Sequence, residues 1–170
     1  MLNLPQAGQY AMIVADQKKL HRIDALELGK AAEHLVCADL ILSGHKAYLS
    51  DQGLPYDVVA DVDGRLIRIQ VKGSCYAKNV NVAGRSANYV YRFHARRRGK
   101  GQKGERLSDR HCEVVAFVAL DIRAVAYFAL SEVAQTVSLY PPGYTFPGKY
   151  KRNRFAAIDG FPFSKVILPC

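Results

Sequence analysis

No run of apolar residues in this chain approaches the roughly 18 that a membrane-spanning helix requires. The first residues lack the basic-then-apolar pattern of a secretory signal. The chain has no CxxC and no paired-histidine spacing, and its four cysteines, Cys37, Cys75, Cys112 and Cys170, are scattered. A structural zinc site is therefore not expected, and reduced thiols in a cytoplasmic protein are the favoured reading. No internal repeat divides the sequence. Acidic residues are scarce in one part only: residues 73–170 hold 16 Lys/Arg against 6 Asp/Glu, whereas residues 1–72 hold 8 against 9. What is present suits a folded, soluble domain spanning 1–170, with 49% hydrophobic and 23% charged residues.

The net charge of +9 is concentrated in "RFHARRRGKGQKGER", residues 92–106, where seven cations face only Glu105. Those cations are Arg92, Arg96, Arg97, Arg98, Lys100, Lys103 and Arg106; Lys78 and Arg85 precede them. A second cluster, Lys149, Lys151, Arg152 and Arg154, follows a Pro/Gly-rich stretch. Such runs suit a polyanion, although a solubilising loop or a membrane-surface patch has the same composition. The interleaved Tyr89, Tyr91, Phe93 and Tyr150 favour nucleic acid.

Residues 1–23 read as an extension, with a short helix around residues 9–20. Asp24, with Glu27 three residues on, predicts a capping-box helix start, and Gly44 predicts its stop. Within that helix Leu28, Ala31, Leu35, Ala38 and Leu42 recur at the spacing of a core stripe. Lys46–Leu49 reads as a short strand. Residues 75–111 read as a basic, irregular insertion. "EVVAFVAL", residues 113–120, is a buried strand, and Asp121-Ile122-Arg123 turns into another at "AVAYFAL". Ser131 with Glu132 predicts a short helix over 132–137. The order defines an α/β sandwich around a mixed β-sheet flanked by helices.

The stretch "PYDVVADVDGRLIRIQVKGS", residues 55–74, carries the most information. Asp63-Gly64 is a two-residue hairpin turn, since both central positions need a positive φ. It pairs Val62 with Arg65 and so sets Asp57 opposite Gln70. Alternation then gives one face Val58, Ala60, Val62, Ile67, Ile69 and Val71, and the other Asp57, Val59, Asp61, Arg68, Gln70 and Lys72. A carboxylate, an amide and an ammonium converge at the open end of that second face. Asp57, Gln70 and the Val71 carbonyl could hold a divalent cation through oxygen, as Mg2+ prefers. Glu33, in a small or apolar sector of the helix beside Gly29, could add a carboxylate, and Lys72 could neutralise developing charge. The bland alternatives are a cross-strand ion pair between Lys72 and Asp57, and a Glu33 at the edge of the core.

The order Gly29-x-x-x-Glu33, then Pro55-Tyr56-Asp57, then Gln70-Val71-Lys72-Gly73-Ser74 resembles the PD-(D/E)xK nuclease superfamily. Its group I intron-encoded homing endonuclease branch is the nearest likeness, and Holliday junction resolvases the second. The resemblance implies a restriction-endonuclease-like fold over roughly residues 24–135 and Mg2+-dependent cleavage of double-stranded DNA, with Mn2+ substituting. It assigns metal binding to Asp57, catalysis to Lys72, the helix carboxylate to Glu33 and a phosphate contact to Ser74. Gln70 replaces the acid of the motif, leaving the site one negative charge short. A catalytically inactive DNA- or RNA-binding module of the same fold is the alternative. Cutting two strands implies a homodimer or homotetramer.

Overall fold

The computed structural model describes Leu20 and residues 23–80, 88–97, 105–143 and 156–167. Most of the N-terminal extension, including all but Leu20 of the helix expected around residues 9–20, lies outside them.

Helix α1 spans Ala25–Leu42. It starts where the sequence predicts, with the Leu26 N–H donating to Asp24 Oδ1 at 2.7 Å. It stops at Ser43 and Gly44, whose φ of 91° is the left-handed conformation that glycine tolerates. Glu27 does not close a capping box; its carboxylate meets Lys30 at 3.5 Å.

The core stripe of α1 differs from the one expected. Ala32, Val36 and Leu40 are buried, while Leu28 and Leu35 only flank the core. Ala31 and Ala38 face solvent, and Leu42 is 89% exposed. Two stripes satisfy the same helical spacing, and a tertiary contact selects between them. A Cβ at Gly73 would lie 3.3 Å from the Ala32 Cβ, so the helix crosses its strand where both residues are small.

Strands β1 (Lys46–Leu49), β2 (Val58–Val62) and β3 (Arg65–Ser74) follow. The Asp63-Gly64 turn has φ of 52° and 85° and gives the expected register, Val62 with Arg65 and Val58 with Ile69. The apolar hairpin face lies under α1, burying Val58, Ala60, Ile67, Ile69 and Val71.

Within 75–111 the described residues are more regular than their Arg and Gly content suggests. Among the described ones are β4 (Lys78–Val80), β5 (Asn88–His94), β6 (Arg96–Arg97) and β7 (Glu105–Arg106). From Tyr91 the end of β5 and the two residues after it alternate: Tyr91, Phe93 and Ala95 are buried, Arg92, His94 and Arg96 exposed. Strands β8 (Val114–Ala119) and β9 (Ala124–Ala129) match the two apolar runs. The helix expected over 132–137 is instead a 3-10 turn, Leu130–Glu132, and a strand, β10 (Thr136–Leu139). Val137 and Leu139 alternate and pair with Phe93 and Tyr91 on β5, which outweighs the local helix signal of Ser131 and Glu132. A second 3-10 turn (Ile158–Gly160) and helix α2 (Ser164–Ile167) close the described chain.

The main sheet has the order β1-β2-β3-β8-β9, with β3 and β8 parallel and the other pairs antiparallel. A three-stranded sheet, β10-β5-β4, supplies Tyr91, Phe93 and Leu139 to the opposite side. Strand β8 serves both cores. Val114, Ala116 and Val118 join the cluster with α1, and Val115, Phe117 and Ala119 join the other. Among the described residues no helix is long and apolar enough to cross a membrane.

Candidate active site

The site grows out of a mismatch in strand length. Strand β2 begins at Val58, whereas β3 runs on to Ser74. Ahead of β2 the chain turns away through Pro55, which has no N–H to offer a ladder. The Asp57 N–H still bonds to the Ile69 carbonyl at 2.9 Å, and Ser50 holds this corner, its hydroxyl donating to the Tyr56 carbonyl at 2.5 Å. Past Ile69 the Asp57 side chain takes over from the ladder: its Oδ2 accepts the Val71 N–H at 2.7 Å. The Gln70 carboxamide Nε2 donates to the same oxygen. The N–H and C=O of one strand residue point the same way, so the Val71 carbonyl also faces the Asp57 side.

Gln70 is not at an open end; it is only 7% exposed. With Nε2 donating to Asp57, its carbonyl oxygen remains an acceptor. Lys72, two residues on along the same face, is half-buried. Glu33 on α1 is half-buried too, and its carboxyl is pushed above the usual value of 4.5. Burial is the main cause and the Asp57 charge the second; His34, Lys30 and Lys72 pull the other way. Glu33 is therefore electrostatically coupled to both Asp57 and Lys72. One turn along, burial and the Glu33 charge push the Cys37 thiol up as well.

Among the described residues no three His, Cys, Asp or Glu side chains are grouped to hold a metal. The available donors are all oxygens: Asp57, Glu33, the Gln70 amide and the Val71 carbonyl. That set is hard, and its two carboxylates disfavour one another in the absence of a cation. It fits a hard divalent ion such as Mg2+ and not a soft or zinc-type ion.

The expected nucleic-acid contacts do not all fall in one kind of place. Lys78, Arg92, Arg96 and Arg106 are exposed. Lys78 lies 5.7 Å over the Tyr76 ring, and Arg96 donates to the Gln135 amide oxygen at 2.7 Å. Arg97 is on β6. Arg85, Arg98, Lys100, Lys103, Lys149, Lys151, Arg152 and Arg154 lie outside the described residues, as does Tyr150. Ser74 is half-buried and its hydroxyl donates to the Tyr76 carbonyl at 3.4 Å. Two expectations are corrected: Tyr91 and Phe93 are each 2% exposed, held in the second core and closed to a base, whereas Tyr89 is 56% exposed. Sequence reasoning also gave no role to Arg68 and Glu113. They are joined at 2.9 Å across 45 residues of chain by the parallel β3–β8 register, which no local pattern announces.

A helix laid on a mixed sheet whose second and third strands form a hairpin with a polar open end belongs to the restriction-endonuclease-like class of folds. The family of PD-(D/E)XK endonucleases matches residues 23–137, and the chain belongs to that family. The superfamily resemblance carried by Glu33, Asp57, Gln70 and Lys72 is thus borne out. Among solved structures, the bacterial homing endonuclease I-Ssp6803I is similar in fold, with a TM-score of 0.58 over 78% of this chain and 86% of that one, at 16% identity. No curated protein matches the chain.

Proposed function

We propose that this endonuclease hydrolyses phosphodiester bonds of double-stranded DNA with the help of Mg2+, Mn2+ substituting, in the manner of a homing endonuclease. The observation that carries the reading is the convergence of Asp57 with the Gln70 amide and the Val71 backbone beside a Glu33 whose ionisation is disfavoured. Asp57, Glu33, the Gln70 oxygen and the Val71 carbonyl would hold the cation. Bound there, it supplies a water of lowered pKa and offsets phosphate charge. Lys72 places its ammonium where charge accumulates as the phosphorus becomes five-coordinate. Ser74, the exposed arginines of β5–β7, Lys78 and the 149–154 cluster would grip the phosphates, largely without regard to sequence. Two strands are cut by two copies, so a homodimer or homotetramer is the working form. The free Cys37, Cys75 and Cys112 support a reducing cytoplasm.

A second reading is favoured by Gln70 itself, which leaves the donor set with two carboxylates. In it the fold binds DNA or RNA and does not cut. Supercoiled plasmid and a four-way junction, each incubated with and without Mg2+, separate the readings. Nicking or linearisation that EDTA stops supports the nuclease. Salt-sensitive binding with intact substrates under every divalent ion supports the binding module. Preferential cutting of the junction would identify a resolvase-like specificity.

A further inference from the structure

We infer that Arg68 is a positioning residue, which fixes the motif strand to the chain arriving from the basic β6–β7 ribbon and so sets the placement of Gln70. The inference rests on the reading of Gln70 as a metal-side ligand. Arg68 commits its backbone and its whole guanidinium to one short segment. Its Nε lies 3.2 Å and 3.1 Å from the two Glu113 carboxylate oxygens, and its Nη2 is 2.9 Å from Oε1. Its Nη1 donates to the Arg110 carbonyl at 3.0 Å and its Nη2 to the Asp109 carbonyl at 2.9 Å. The Arg68 N–H donates to Glu113 Oε2 at 2.8 Å, and the Glu113 N–H returns a bond to the Arg68 carbonyl at 3.0 Å.

This is more than a surface ion pair. The side chains are only 32% and 36% exposed, the contact is bidentate, and two carbonyls complete it. Burial opposes the Glu113 charge, yet the Arg68 hydrogen bonds outweigh it and hold the carboxyl below its usual value. The segment gripped also carries Cys112, which is fully buried in the second core. Gln70 is two residues beyond Arg68 on the same face, with its amide on Asp57. From β7, through Leu107 and the turn at 108–111, to Arg68 and then Gln70, every step is a short bonded one. Lysine keeps the charge but cannot make the fork and reach both carbonyls.

The test is Arg68→Lys, with Glu113→Gln as a second variant. The expected result is unchanged DNA affinity with cleavage at saturating DNA lowered about tenfold to a hundredfold, the scale of a displaced reacting group. More Mg2+ should be needed for the half-maximal rate. A readout independent of cutting is the side-chain NH2 pair of Gln70 in an amide correlation spectrum, assigned by its loss in Gln70→Glu; both variants should move it. If those signals stay in place and cleavage falls only with the folded fraction, Arg68 serves stability alone and the inference is overturned. A wild type that never cuts defeats the nuclease reading, while the Gln70 signals still decide this one.

Discussion

The Gln70 carboxamide donates to the Asp57 oxygen that also receives the Val71 N–H, so position 70 approaches Asp57 through a nitrogen. Replacing that nitrogen by oxygen, as in Gln70→Glu, sets a carboxylate against a carboxylate in a nearly closed site. The metal-free variant should melt lower than wild type near neutral pH, and Mg2+ or Mn2+ should stabilise it more than wild type. Calorimetry with equal metal affinity for both proteins would remove Gln70 from the ligand set.

Cutting and binding should separate at Asp57 and Lys72. Asp57→Asn preserves an acceptor for the Val71 N–H and so tests charge with little loss of structure. It should abolish metal-dependent cleavage, and Lys72→Met should slow it by at least ~10²-fold, the scale of one lost electrostatic group. Both should retain DNA binding in a filter or polarisation assay, because the cations proposed to grip phosphate lie elsewhere. Equal cutting by wild type and both variants would place the activity at another site or in a contaminant.

Glu33 gives a pH signature. Its carboxyl titrates above 4.5, so its contribution to stability is complete below that value and is lost as the pH rises through the raised one. Glu33→Gln should therefore raise the melting temperature of the metal-free protein near pH 7 and have little effect at about pH 4. Mg2+ should narrow the neutral-pH difference. Melting curves in EDTA that show no gain near pH 7 would contradict a strained, ionised Glu33.

Gly73→Ala should lower stability by forcing a Cβ to within 3.3 Å of the Ala32 Cβ, both residues lying where α1 crosses β3. Ala32→Gly costs about 1 kcal/mol by itself in a helix interior but removes the opposing Cβ, so the double-mutant cycle should show clear coupling. Because Ala32 precedes Glu33 and Gly73 follows Lys72, cleavage should show the same coupling. Additive effects would mean that the helix yields without strain.

The site was more legible in the sequence than the body around it. Asp63-Gly64 is a local instruction, and once it fixes the register out to Val58 with Ile69 the nearness of Asp57 to Gln70 follows by counting. The start of α1 is equally local, a single Asp24 cap. Its buried face was not readable, because the stripes through Leu28 and through Ala32 have the same period and only contact with Gly73 distinguishes them. From the end of β5 into β6 the alternation of Tyr91, Phe93 and Ala95 against Arg92, His94 and Arg96 is regular, but the density of charge and the following glycines disguise it as loop. Arg68 and Glu113 needed the parallel pairing of distant strands, which a chain read from end to end does not announce.

Strand β8 has no solvent side: all six residues are buried, three against α1 and three against the second sheet. Its parallel partner is the strand that carries Gln70 and Lys72, with Gln70 beside Val115 and Lys72 beside Phe117. The neighbour of the strand that bears Gln70 and Lys72 is therefore the segment with the narrowest tolerance for change. An added methylene at Val115 is felt beside Gln70, and one at Ala116 is felt under the helix that bears Glu33, so substitutions distant from any phosphate should still disturb the proposed site.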